Sequence, residues 1–90
     1  MIRSITHTSQ FRRDYKKRVH DAGLDDLLGE CIEKLASGKP LEIRFRDHPL
    51  KGGYAGCREC HLRPDLLLIY IQNDSELKLV RLGRHSELFA

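Results

Sequence analysis

The sequence has no tryptophan, one methionine at its first position, three cysteines and three prolines, and only 7% of its 90 residues are aromatic. With aromatics scarce, aliphatic side chains must build the core. A chain this short hides only about 60 to 65% of the surface its unfolded form exposes, which is enough for one core and excludes a second domain. The longest apolar run, residues 66–71, is six residues, whereas a bilayer span needs about 20. No basic start followed by an apolar stretch is present either, so no membrane association is expected and the expected compartment is the cytoplasm. Disorder is excluded from the other side, because 40% of the residues are hydrophobic and 32% charged.

Charge of neither sign dominates. Sixteen lysines and arginines against thirteen acids give +3, an excess that permits a polyanionic partner without demanding one. Its distribution says more than its sum. Residues 1–20 hold six basic groups and one acid, and residues 21–33 hold five acids and no base. The first helix face, residues 44–63, and Lys78, Arg81 and Arg84 would make a basic surface if the fold gathers them on one side. The surplus is in histidine, since His7, His20, His48, His61 and His85 are five groups that titrate near neutral pH.

Residues 2–7 alternate β-branched and polar side chains, which predicts a strand, and Thr8 or Ser9 can cap the helix that follows. In that helix Phe11, Tyr15 and Val19 fall on one face. Gly23 breaks it. Leu24, Leu27, Leu28, Cys31, Ile32 and Leu35 then keep the period of a second amphipathic helix, with Asp25 and Asp26 at its positive end and Gly38 and Pro40 stopping it. Residues 57–62 alternate, 66–71 are continuously apolar, and 77–81 alternate again, with turn residues at 63–65 and 73–75 between them. These are three antiparallel strands, the middle one buried on both faces. The expected architecture is α+β in the order β-α-α-β-β-β, an N-terminal strand and helical hairpin packed on an antiparallel sheet, forming a single domain over residues 1–90. Residues 41–54 fit neither period and are expected to run over the surface as a basic loop.

Cys57-Arg-Glu-Cys60-His61 matches the C-x-x-C-H string of haem attachment and half-matches a zinc site. Strand parity argues against both, because side chains three apart point to opposite faces, so Cys57 and Cys60 cannot hold one centre or form an easy disulfide. No good Met axial ligand exists, and Cys31 lies on the apolar face of the second helix. No metal or cofactor is expected, and the cysteines are read as reduced. By the same parity Cys57, Glu59 and His61 share one face while Arg58, Cys60 and Leu62 share the other. Cys60 and Leu62 look core-facing, which turns His61 outward.

Around His61 the chain places Asp47-His48-Pro49-Leu50 upstream, Asp65 downstream and Gly83-Arg84-His85 after the last strand. Three histidines and a carboxylate beside basic loops suit metal-free RNA cleavage. The ribose 2′-OH must lose a proton to attack its phosphate, the intermediate gathers negative charge, and the departing 5′-oxygen must gain a proton. Imidazoles, with a reference pKa of about 6.5, serve both transfers, and Lys or Arg can hold the phosphate. His7 and His20 have no such setting.

The strings DHPLKGGYAGCRECHLRPDLLLIY (47–70) and LVRLGRHSELF (79–89) resemble the YafQ branch of the RelE/ParE toxin superfamily, and the order of elements agrees across nearly the whole chain. The resemblance implies a bacterial type II toxin that enters the ribosomal A site of the 70S ribosome and cuts mRNA, held inactive by a cognate antitoxin, on a RelE-like fold. It places the family's functional histidines on His48, His61 and His85, its acid on Asp65 and its C-terminal aromatic on Phe89. On this basis His48 is the general base and His85 the general acid, two labels that are exchangeable, with Asp65 and His61 orienting the imidazoles or the phosphate. Lys51, Arg58 and Arg84 are candidates for phosphate contact, although Arg58 suits a structural ion pair equally well. Phe89 either stacks on an mRNA base or closes the core. Leu66 stands where the family has Trp, which bears on codon preference more than on proton transfer. Two other readings are a non-catalytic ParE-like toxin that inhibits DNA gyrase through protein contacts, and a haem or zinc module at Cys57 to His61.

Overall fold

Thr8 closes the first strand and opens the first helix. Its hydroxyl oxygen accepts from the Phe11 N–H at 2.9 Å while its own proton goes to the Val80 carbonyl at 2.7 Å, so one residue caps the helix and fixes it to the sheet. The structure, a computed structural model, describes residues 2–89. Strand β1 (Ser4–His7) is followed by α1 (Ser9–Lys16) and α2 (Leu24–Ala36), then by β2 (His48–Pro49), β3 (Arg58–Arg63), β4 (Leu66–Gln72), β5 (Glu76–Gly83) and α3 (His85–Leu88).

Helix α1 is shorter than its apolar spacing predicts. The Arg18 N–H reaches back three residues to the Tyr15 carbonyl, which tightens the last turn and leaves Val19 exposed. Gly23, at φ +80°, starts α2, and Leu24, Leu28, Cys31 and Leu35 bury the predicted face.

The strand order is β1-β5-β4-β3-β2. The sheet departs from the expected antiparallel meander in two places. β1 runs parallel to β5, with Ser4 to His7 opposite Glu76 to Leu79, because the intervening chain returns it to the sheet in the same direction. The segment expected as a loop supplies β2, which pairs His48 with Glu59 and Pro49 with Arg58. Two residues, one a proline, are too few to leave a periodic trace. β4 is central and covered on both sides, as its unbroken apolar run predicts. Leu66, Leu68 and Tyr70 face the helices, whereas Leu67 and Ile69 join Cys57 and Leu88 on the outer face, with Leu50, Tyr54 and Val80 at its margin. α3 therefore folds back over the outer face and seals it with Leu88.

Asp14, buried on α1, accepts from Arg81 Nε at 2.8 Å, from the Leu82 N–H at 3.0 Å and from Gln10 Nε2 at 2.9 Å. It serves β5 where that strand outruns β1. Burial alone would raise its pKa, but the Arg81, Leu82 and Gln10 hydrogen bonds outweigh burial and hold the carboxyl below its ordinary value. Cys31 and Cys60 meet in the helix-side core with sulfurs 3.4 Å apart as free thiols, while Cys57 lies in the outer cluster. Among the described residues no helix is long and apolar enough to cross a membrane.

Candidate active site

The outer face of β3 and the short β2 bring two histidines to one carboxylate. Arg46, in the left-handed region at φ +48°, redirects the chain after a 3₁₀ turn at Ile43–Phe45. Its carbonyl accepts from His48 Nδ1 at 2.7 Å, which leaves Nε2 facing Glu59 Oε2 at 3.3 Å. The other Glu59 oxygen, Oε1, lies 3.5 Å from His61 Nε2. The two imidazole centroids are 6.3 Å apart. Glu59 is only 3% exposed, so its charge acts on the rings in a medium that screens it less than water does. His61 Nδ1 is buried without a hydrogen-bond partner among the described residues. Such an atom costs about 1–3 kcal/mol of stability, a cost that stability alone does not explain.

A second group forms where α3 begins. Asp65, in the β3–β4 turn, accepts from the His85 N–H at 3.0 Å and from Arg84 Nε at 3.1 Å. The backbone N–H of His85, and after it Arg84, hold the Asp65 carboxyl below its ordinary value. Asp65 thus fixes the start of the helix that carries His85, and its bond goes to the His85 backbone, not to the imidazole it was expected to orient. One turn on, Phe89 lies 4.8 Å from the His85 ring and presents an edge to Tyr54 at 5.4 Å. Tyr54 is held by its hydroxyl, which donates to the Leu88 carbonyl at 3.1 Å. Phe89 is 39% exposed, so it stands beside His85 at the surface and does not close the core.

Strand register relates the two groups. Leu67 of β4 pairs with His61 on one side and with Gly83 on the other, so the His61 and Gly83 backbones are two strand steps apart, about 10 Å, and His48 on β2 is one strand further out. A Cβ on Gly83 would come within 3.3 Å of both Glu87 and Leu88 side chains, and this lack of a side chain lets α3 turn back toward the histidines.

The basic candidates separate. Arg58 lies on the helix-covered face with Cys60 and Leu62, where its Nε donates to Asp47 Oδ1 at 3.2 Å, and Asp47 also accepts from the Tyr70 hydroxyl. It occupies the structural ion pair and stands away from the histidines, which removes it from the candidate RNA contacts. Lys51 is exposed at the start of a 3₁₀ turn at Gly52–Tyr54, and Arg84 remains open although it touches Asp65. Two residues of the site, Glu59 and Arg46, do not stand out in the sequence. Strand parity puts Glu59 on the His61 face, but its approach to His48 depends on β2. Arg46 lines a cleft of about 330 Å³ with His61, Arg44 and Arg63. Arg44 pairs with Glu30 and Glu42, and Arg63 with Asp21, which leaves Arg46 as the arginine there without a carboxylate among the described residues. Nothing in the local sequence distinguishes it from Arg44. Cys57 and Cys60 point to opposite sides of the sheet and share no centre with His61.

A helical pair on one face of a mixed five-stranded sheet, with a short C-terminal helix folded onto the other, is the RelE-like fold of small bacterial toxins. The family model described as a bacterial toxin of a type II toxin-antitoxin system, YafQ, matches residues 3–90, and the chain belongs to that family. It is similar to the mRNA interferase toxin YafQ of Escherichia coli K12, at 34% identity covering 97% of this chain and 96% of the relative. Among solved structures, a metal-bound toxin from Helicobacter pylori is 45% identical with a TM-score of 0.89, covering 99% of this chain and 100% of that one. The toxin of the E. coli DinJ-YafQ complex is 32% identical with a TM-score of 0.87, covering 98% and 99%.

Proposed function

We propose that the protein is the toxin of a type II pair that inhibits translation in the bacterial cytoplasm by cutting mRNA in the ribosomal A site, without a metal or cofactor, and that a cognate antitoxin restrains it. The observation that carries this reading is the pair of imidazole groups on one sheet face, His48 and His61 around buried Glu59 and, where α3 folds onto the same face, His85 beside Phe89. A phosphodiester held between these groups meets a proton acceptor on one side and a donor on the other, each acting at a hydrogen-bond reach of about 2.6–3.2 Å.

In the proposed reaction His48 takes the proton of the 2′-OH, and the 2′-oxygen attacks the adjacent phosphorus. Nε2 is the nitrogen that takes this proton, since Nδ1 donates to the Arg46 carbonyl, and Glu59, whose Oε2 lies 3.3 Å from Nε2, stabilises the resulting imidazolium by its charge. The bond from phosphorus to the 5′-oxygen breaks, His85 protonates that oxygen, and the products carry a 2′,3′-cyclic phosphate and a 5′-hydroxyl. Arg46, Lys51 and Arg84 are the cations assigned in this reading to offset the phosphorane charge. The exposed ring of Phe89 stands where a base could stack on it, an interaction worth about 1–3 kcal/mol in single-strand binding. Support for the partners comes from the relatives, one of which is an mRNA interferase and another a toxin solved with its antitoxin.

Primer extension on ribosome-bound mRNA tests the reading. New 5′ ends are expected with the wild-type protein and not with His85→Ala. Intact mRNA accompanied by DNA damage on induction would instead favour the gyrase-inhibiting class. The role given to Glu59 has its own test. Glu59→Gln keeps the side-chain shape and removes the charge, and should slow cleavage by about 10- to 100-fold, the range typical of a supporting group, with its melting temperature little changed. A large loss of stability at unchanged rate would make Glu59 a structural residue only.

A further inference from the structure

We propose that Tyr54 is a positioning residue for cleavage, holding the end of α3 from the tip of the β2–β3 hairpin and so setting where His85 stands relative to His48; this rests on the RNA-cleaving reading above.

The hairpin side of the contact is pinned by its own backbone. β2 pairs with β3 at His48–Glu59 and Pro49–Arg58, and the Leu50 N–H continues the ladder to the Cys57 carbonyl at 2.9 Å. Within the connection the Ala55 N–H donates to the Gly52 carbonyl at 3.0 Å and the Cys57 N–H to the Tyr54 carbonyl at 2.9 Å. Tyr54 is thus a fixed extension of the strands that bear His48, Glu59 and His61. Helix α3 is the opposite case. Its four residues are far below the roughly 12–15 at which a helix begins to hold itself in water, and its last carbonyls have no partner within the helix. The Tyr54 hydroxyl supplies one, donating to the Leu88 carbonyl at 3.1 Å. Among the described residues this is the one hydrogen bond that joins the hairpin, residues 48–63, to α3.

The ring carries the link on to the imidazole. Tyr54 meets Phe89 in a T-shaped contact, centroids 5.4 Å apart and planes at 77°, and Phe89 lies 4.8 Å from His85, so three rings run from the hairpin tip to the proposed acid. The remaining anchors of α3 do not set this distance. Asp65 holds the first turn from the β3–β4 turn, and Arg18 holds Glu87 from the end of α1. Leu88 packs with Cys57 in the outer cluster, but apolar burial has no direction. A hydroxyl aimed at one carbonyl and a ring set edge to face do have direction. Acid and base must both lie within hydrogen-bond reach of the same phosphodiester, and a misplacement of about 1 Å can cost about 10²-fold in rate.

Single-turnover cleavage of ribosome-bound mRNA and amide exchange of the free protein test this together. Tyr54→Phe removes the hydroxyl alone and Tyr54→Leu the ring as well, and both leave an apolar side chain against the outer cluster. Tyr54→Phe should cut about 3- to 10-fold more slowly, the size of one hydrogen bond, and Tyr54→Leu about 10²-fold more slowly. Ribosome affinity should stay within about twofold of wild type, because the loss falls on the chemical step. A structural residue would add its loss to any background, whereas a residue acting through His85 should cost the His85→Ala variant less than about threefold further when Tyr54→Leu is added. In the exchange arm the Phe89 N–H, bonded to the His85 carbonyl at 3.0 Å, should exchange at least about threefold faster in Tyr54→Phe while the Leu68 amide keeps its protection. Unchanged cleavage in both variants, or full additivity with His85→Ala, would overturn the proposal. If the wild type itself leaves mRNA uncut, the cleavage reading fails, and faster Phe89 exchange in Tyr54→Phe would still establish the hold on α3.

Discussion

His48→Ala and His85→Ala each lower the rate of mRNA cleavage by about 10²- to 10⁴-fold, the range over which one general acid or base contributes. Both side chains are exposed, neither belongs to either buried cluster, and the Asp65 bond that anchors α3 goes to the His85 backbone. Stability and antitoxin binding should therefore survive, and growth inhibition should disappear. Because the two groups act in one reaction, the double variant should lose less than the product of the single losses. Single-turnover cleavage of ribosome-bound mRNA gives the rates, and thermal melts confirm that the variants are folded. Full toxicity of both variants would remove these histidines from the mechanism.

The second large effect is on stability and comes from the opposite side of the sheet. Asp14→Ala should destabilise the protein by about 3 kcal/mol, because removing one partner of a buried pair leaves Arg81 uncompensated and the Leu82 N–H unpaired. For a domain of this size that lowers the melting temperature by roughly 10–20 °C. The pH dependence has a definite sign. The folded carboxyl titrates below its unfolded value, so its contribution is fully present above about pH 4 and is lost as pH falls through the folded pKa. Urea melts between about pH 3 and 7 should show wild type and Asp14→Asn converging in stability toward the acid end. A constant difference across that range would mean that the charge of Asp14 is not what stabilises the fold.

Much of the fold is readable from residue order. The spacing of Leu24, Leu28, Cys31 and Leu35 defines α2 and its buried face, the unbroken run at 66–71 marks a strand covered on both sides, and Thr8 announces the cap of α1. What periodicity cannot register are elements of about a single period, such as β2 with two residues and α3 with four. Nor can it specify partners, so the parallel β1–β5 pairing leaves no trace in it. The site divides in the same way. His48, His61, Asp65 and His85 stand out by residue type and motif, whereas Glu59 and Arg46 become candidates only through β2 and the left-handed turn before it. Arg58 is separable by parity alone, since sharing a face with Cys60 and Leu62 already turns it from the histidines.

Leu88 and His85 occupy the same four-residue helix, so the outer cover of the sheet and one end of the proposed active site are a single removable piece. A local opening that lifts α3 would bare Leu67 and Ile69 and carry His85 and Phe89 away together, while α1, α2 and the helix-side core stay in place. Such sub-global openings have lower free energies than complete unfolding. Proposed activity is therefore coupled to the outer cover of the fold, and on warming a population with an intact helix-side core and a disengaged α3 would precede the globally unfolded one.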